Sequence, residues 1–137
     1  IKPEHEKRDY VRAVIEGIAM NMELILKAYR KQAKIEYMCL TGGGAKGDVV
    51  AQILSDVLNV EFRMPDCVEE ATAIGAAVIA GVGVGVFDSF EEVKRFLKFE
   101  KTVKPVVEHR DDYEKLLPIF DEAYECMLPL YKKMAKL

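Results

Sequence analysis

The chain has 137 residues, half of them hydrophobic and 31% charged, which suffices for one globular domain with a hydrophobic core. A formal net charge of -3, with no basic stripe interleaved with aromatics, argues against nucleic acid or an anionic membrane as partner. The most apolar stretch, Ala71 to Phe87, is too short and too glycine-broken to span a bilayer, and the charged opening Ile1 to Arg8 leads into no signal-peptide core.

From Asp9 to about Lys31, apolar residues recur at Val11, Val14, Ile15, Ile18, Met22, Ile25, Leu26 and Tyr29, a spacing that predicts a long helix with one broad buried face. Gly17 inside it suggests close approach by a neighbouring element. Ile35 to Thr41 is short, apolar and runs into glycines, and predicts a buried strand. Gly42 to Gly47 is the turn, after which Asp48 to Asn59 resumes helical spacing. Val60 to Arg63 predicts a second strand, ended by Pro65. The loop from Asp66 to Glu70 leads to a small-residue helix, Ala71 to about Val82, whose Gly75, Ala76, Ala77 and Ala80 permit tight packing on a backbone or a ligand. Ser89 is an expected N-cap, with Glu92 completing a capping box for a helix to about Leu97. Thr102 to Val107 is extended, and a last helix is expected from about Asp111 to Met134, with a possible bend at each of Pro118 and Pro129. Tyr10, Tyr29, Tyr113, Tyr124 and Tyr131 fall at helical packing positions and are expected in the core.

The order helix, strand, helix, strand, helix is an α/β pattern with a parallel strand pair. Two strands are few for such a sheet, so the rest of it is expected outside this chain. Cys39, Cys67 and Cys126 show no CxxC spacing, and His5 and His109 stand isolated among charges. Reduced thiols in a cytoplasmic compartment, surface histidines and no metal site are the expectations.

Chemistry points to the junction IEYMCLTGGGAKGDVVAQIL, where a strand delivers three glycines to a helix start. Glycines there let backbone N–H groups approach a ligand, and a helix N-terminus favours an anion, so nucleotide or phosphate binding is the functional reading. A glycine turn with no ligand is the alternative. The junction is neither a Walker A loop nor a GxGxxG fingerprint. GVGVGVF reads as a helix stop. Asp66, Glu69 and Glu70 read as helix-start carboxylates before metal ligands. Glu16, on a helix that is apolar on one side, reads as a structural hydrogen-bonding group.

Four stretches taken together resemble the C-terminal domain of FGGY carbohydrate kinases: RAVIEGIA from Arg12, LTGGGAKGDVVAQILSDVL from Leu40, EATAIGAAVIAGVGVGVF from Glu70, and the Tyr/Leu-rich last helix. Their order and spacing are more like those of xylulose kinases than of glycerol kinases, and the resemblance runs from about Arg8 onward. It implies a ribonuclease-H-like (actin-like ATPase) α/β fold, here a partial domain over residues 1–137 that lacks its first three strands and carries extra C-terminal helices. It also implies ATP with Mg²⁺ and a sugar acceptor, a xylulose-like ketopentose favoured, bound through an N-terminal domain. Gly42, Gly43, Gly44 and Ala45 would line the ribose and α-phosphate, and Lys46 and Gly47 would open the helix beside the adenine or ribose. Family members often carry Asn or Ser where Gly47 stands, so one side-chain contact to the nucleotide is lost. Ile74 to Ala77 resembles the helix at the interdomain hinge. The family's catalytic Asp lies in the N-terminal domain, so no catalytic residue is assigned here and the chain alone is expected to be inactive. An actin-like interaction module without activity is the alternative. The strand at Ile35 to Thr41 would present an unpaired edge, from which self-association is expected.

Overall fold

The computed structural model describes residues 2–137. Helix α1 (Lys7–Arg30) opens where the Glu6 backbone N–H donates to Asp9 Oδ2 at 2.8 Å, and it closes with Lys27 and Arg30 in its last turn, where cations complement the helix dipole. Strand β1 (Tyr37–Cys39) leads to a 3₁₀ helix at Gly42–Lys46, then to α2 (Asp48–Leu58) and β2 (Glu61–Pro65). After them come α3 (Ala71–Gly83), a second 3₁₀ helix at Phe90–Arg95, β3 (Phe99–Val103) and α4 (Val107–Met134). Among the described residues no helix is long and apolar enough to cross a membrane.

β2 is the central strand. It pairs in parallel with β1 (Met38 opposite Phe62) and antiparallel with β3 (Phe62 opposite Val103), with a register shift at Met64/Pro65 where proline has no N–H to give the ladder. The antiparallel third strand goes beyond the sequence reading, which took Thr102 to Val107 only as extended. Within the described residues β1 pairs on one side only and is a sheet edge.

The core lies where α1 and α2 cross over the inner face of this sheet. Ala19, Met20 and Leu26 meet Ile53, Leu54, Val57 and Leu58, above Val60 and Phe62. α2 ends on Asn59, a left-handed residue at φ 46°, which lets the chain reverse directly into β2. Ser55, fully buried, donates to the Val60 carbonyl at 2.9 Å and ties that reversal down.

Several expectations need correction. β1 is shorter than Ile35–Thr41 and is not buried: Tyr37 and Cys39 are exposed on the open face of the sheet, where Tyr37 stacks under the Arg63 guanidinium. Of the five tyrosines expected in the core, only Tyr113 is buried; Tyr10, Tyr29, Tyr124 and Tyr131 are exposed on their helices. A Cβ at Gly17 would meet nothing within 4 Å, so no neighbour approaches there. The segment after Ser89 is a 3₁₀ helix, with Ser89 Oγ accepting from the Glu91 N–H, while the Glu92 side chain reaches forward to Arg95. α4 starts four residues before Asp111 because the Val106 N–H donates to buried Asp56 at 2.8 Å, which anchors its first turn to α2. His109 is no isolated surface histidine: its Nδ1 lies 2.7 Å from Asp56 Oδ2, and since the carboxylate only accepts, the proton belongs on Nδ1. Glu16 does form the structural hydrogen bonds expected of it, accepting from Arg12 and from the Tyr113 hydroxyl.

Candidate functional site

The glycine bend sits at the C-terminal end of β1, between the parallel strand pair and α2. Gly42 has φ +72°, a left-handed conformation that starts the 3₁₀ turn and that an L side chain rarely adopts. A Cβ at Gly42 or Gly43 would meet no atom within 4 Å, so the outer side of the bend is open to a ligand. Gly44 faces Leu40 at 3.9 Å, and Ala45 packs inward on a small second cluster of Ala51, Met64 and Val103. That cluster supports the bend from below. Gly47 has extended backbone and precedes α2 without any side-chain cap, while its carbonyl accepts from the Ala51 N–H at 3.0 Å. The first amides of α2 therefore have no side chain to satisfy them, the condition that makes a helix start receptive to a ligand acceptor.

The charges around the bend are balanced. Lys46 Nζ lies 2.6 Å from Glu69 Oε1, across 23 residues of sequence, and Lys101 of β3 pairs with Asp48 in the first turn of α2. Neither partner was legible in the sequence, because both pairs close through the tertiary fold. All four side chains are substantially exposed, so these pairs hold orientation more than they stabilise the fold. Glu69, read from sequence as a helix-start carboxylate, is thus a tether for Lys46. Asp66 and Glu70 do not join it: among the described residues no three His, Cys, Asp or Glu side chains converge as metal ligands. Cys39, just before the bend, has its thiol pushed up, first by desolvation and then by Cys67 nearby.

The second glycine run stops α3, as its sequence suggested. The Val86 and Phe87 N–H groups donate to the Gly81 carbonyl, and a Cβ at Gly81 would lie 2.3 Å from the Phe87 ring. The run is a fold device. A cleft of about 810 Å³ opens between the start of α1 and α2, with Val11, Ile15, Val49 and Ile53 as its apolar walls and Lys7, Arg8, Asp9 and Arg12 along the rest of its lining. It is a groove between two helices; the bend, although a surface and not a cavity, has the glycine backbone and the open approach.

Comparison with known proteins gives the family and the fold. The C-terminal domain of the FGGY family of carbohydrate kinases matches residues 1–84. A xylulose kinase of Staphylococcus epidermidis is 32% identical over 127 residues, 91% of this chain and 25% of that protein. The structure of a ligand-bound xylulose kinase from Lactobacillus acidophilus superposes with a TM-score of 0.82 at 27% identity, over 98% of this chain and 27% of the other. Plasmodium falciparum glycerol kinase with ADP gives 0.72 at 26% identity, over 93% of this chain and 26% of the other. The chain thus spans about a quarter of the length of these relatives. From Arg12 through the glycine bend to α3, sequence and fold agree, and the chain belongs to the FGGY family of carbohydrate kinases, within their C-terminal domain.

Proposed function

We propose that the intact protein transfers the γ-phosphate of ATP to a sugar hydroxyl, a xylulose-like ketopentose being the favoured acceptor, and that this chain forms part of the nucleotide side of that site. The observation that carries the reading is the open glycine bend: it follows a parallel strand, precedes an uncapped helix start and is not occluded by the chain's own atoms. Gly42, Gly43 and Gly44 face the ribose and α-phosphate, and Gly47 and the first turn of α2 lie beside the base or ribose. The two lysine–carboxylate pairs keep the rim near neutral, so recognition rests on backbone amides and shape.

Phosphoryl transfer is achieved by positioning and by electrostatic stabilisation of the transferring group. The base that accepts the sugar proton and most phosphate contacts fall to other parts of the intact kinase, and this chain alone is inactive. Mg²⁺ would enter with the nucleotide phosphates and would neutralise their charge. Nothing in the structure favours a non-enzymatic role for the same fold.

Titration of the isotopically labelled chain with ADP, and the same titration on Gly43→Ala, tests the reading. Saturable shifts at the amides of Gly42 to Gly47 are expected. The added methyl meets nothing within 4 Å in the chain itself, so the stability of Gly43→Ala should be unchanged. It does occupy the ligand's side of the bend, and ADP affinity should fall about tenfold, a loss of about 1.4 kcal/mol. Equal ADP binding by Gly43→Ala, or shifts that cluster away from the bend, would overturn the assignment.

A further inference from the structure

Two ammonium groups stand at the rim of the glycine bend, and both are matched. Lys46, the last residue of the 3₁₀ turn, has its Nζ 2.6 Å from Glu69 Oε1, and Lys101 pairs with Asp48. The two carboxylates are not equivalent. Asp48 lies in the first turn of α2, where a negative charge already suits the helix dipole. Glu69 has no such duty: α3 takes Glu70 as its N-cap, and its first turn contains no acid. Among the described residues the hydrogen-bonding partner of the Glu69 carboxylate is Lys46, which reaches it across 23 residues of sequence.

As a stabilising device the Lys46–Glu69 pair is poor. Its side chains are 64% and 72% exposed, and ion pairs open to water contribute little to stability. What the pair does change is the field over the bend. Without Glu69 the turn would carry an unmatched ammonium beside the open outer side of Gly42 and Gly43, and a small polyanion could settle there on charge alone. With Glu69 in place, a bare polyphosphate meets backbone amides and a neutral rim, whereas a nucleoside also brings a base and a ribose to be recognised by shape. On the nucleotide reading of the bend given above, we propose that Glu69 is a specificity-determining residue: it masks the Lys46 ammonium, so that the bend selects a nucleoside over free inorganic polyphosphate. Glu69 acts through Lys46 and not by touching the ligand.

Amide-shift titrations of the chain at low ionic strength, with inorganic pyrophosphate and with adenosine, which has no phosphate, measure the masking directly. In Glu69→Gln the ratio of pyrophosphate to adenosine affinity should rise about fivefold, the worth of one unit charge about 4 Å away in water. The rise should vanish in Glu69→Gln/Lys46→Met, which has no ammonium to unmask, and should shrink as salt is raised to about 1 M. Glu114→Gln is the charge-matched control: it breaks a comparably exposed pair with Arg110 on α4, beside the far end of α2, and should leave the ratio where it is. All three positions are exposed, so every variant should fold. An unchanged ratio in Glu69→Gln, an equal rise in Glu114→Gln, or a rise that survives in the double variant overturns the masking. Failure of the nucleotide reading looks different: the parent chain would show no saturable adenosine or ADP shift at Gly42 to Gly47, and the masking would fall with it.

Discussion

α2 and α3 are both short and strongly apolar, yet the fold uses them in opposite ways. α2 buries Ala51 and every residue from Ile53 to Leu58, against α1 above and the sheet below. α3 buries only Val78 and Gly81, and leaves Ile79 64% exposed. The difference lies in arrangement, not in amount. In α2 large aliphatic side chains recur on one broad side, with Asp48 and Gln52 left towards solvent or the neighbouring loop, so burial pays the entropy of ordering it. In α3 the residues are small and apolar all round, a pattern that suits contacts on several sides, and among the described residues its main neighbours are the Phe87 turn and the second 3₁₀ helix.

Substitutions on the two sides of this contrast should separate widely. The largest effect is expected at Phe62, 1% exposed beneath α1 and α2: Phe62→Ala should cost about 3–5 kcal/mol, read as a fall in the urea midpoint. A cost below about 1 kcal/mol would mean that the helix pair does not depend on the sheet beneath it, and the contrast with α3 would lose its meaning. Next comes Asp56→Ala. It strips the Val106 N–H, Gln52 and His109 of their shared acceptor and should cost about 1–3 kcal/mol. Amide exchange should accelerate first in the opening turn of α4, because that turn is what Asp56 holds.

The part of the fold that was legible in sequence is the part governed by periodicity. α1 and α2 fell within two residues of their expected bounds, because apolar spacing fixes which face is buried wherever a partner face exists in the same chain. The tyrosines show the limit of that logic. Tyr29 and Tyr124 have core-like spacing, but spacing states which face wants cover and not whether this chain provides it. The glycine bend was legible as a strand-to-helix turn, since three consecutive glycines follow an apolar run and precede resumed helical spacing. The partners that orient it, Glu69 and Lys101, come from loops and strands 23 and 53 residues away, and no local pattern encodes such pairs. β3 was missed for the same reason: its five residues are almost all exposed, and its pairing with β2 depends on the antiparallel return of the chain.

A smaller and pH-dependent effect should come from Glu23, the one acid enclosed by α1's own core face. Desolvation raises its carboxyl above the unfolded value, with Arg30 and Lys27 partly opposing it. The native chain therefore holds this proton more tightly than the unfolded chain does. That contribution is complete below the unfolded pKa and is lost as pH rises through the raised native value. Glu23→Gln has no proton to lose, so its urea midpoint should gain on the parent's as pH climbs from about 4 to about 7. A constant gap between the two across that range would show that the carboxyl is not held in a desolvated setting.

The smallest effect should be at Ile79. Its side chain stands 64% exposed on α3, so removing it deletes little buried area and leaves no cavity. In this chain Ile79→Ala should shift stability by no more than about 0.5 kcal/mol, with the higher helix propensity of alanine offsetting what contact is lost. On the proposed kinase reading, the same substitution in the intact protein should cost more if the far side of α3 packs on another domain, because truncating a buried isoleucine typically costs about 2–5 kcal/mol. The informative quantity is the difference between the two settings. A near-zero cost in both would leave α3 exposed throughout, and the apolar character of the helix would then have no structural account in the closing of two domains.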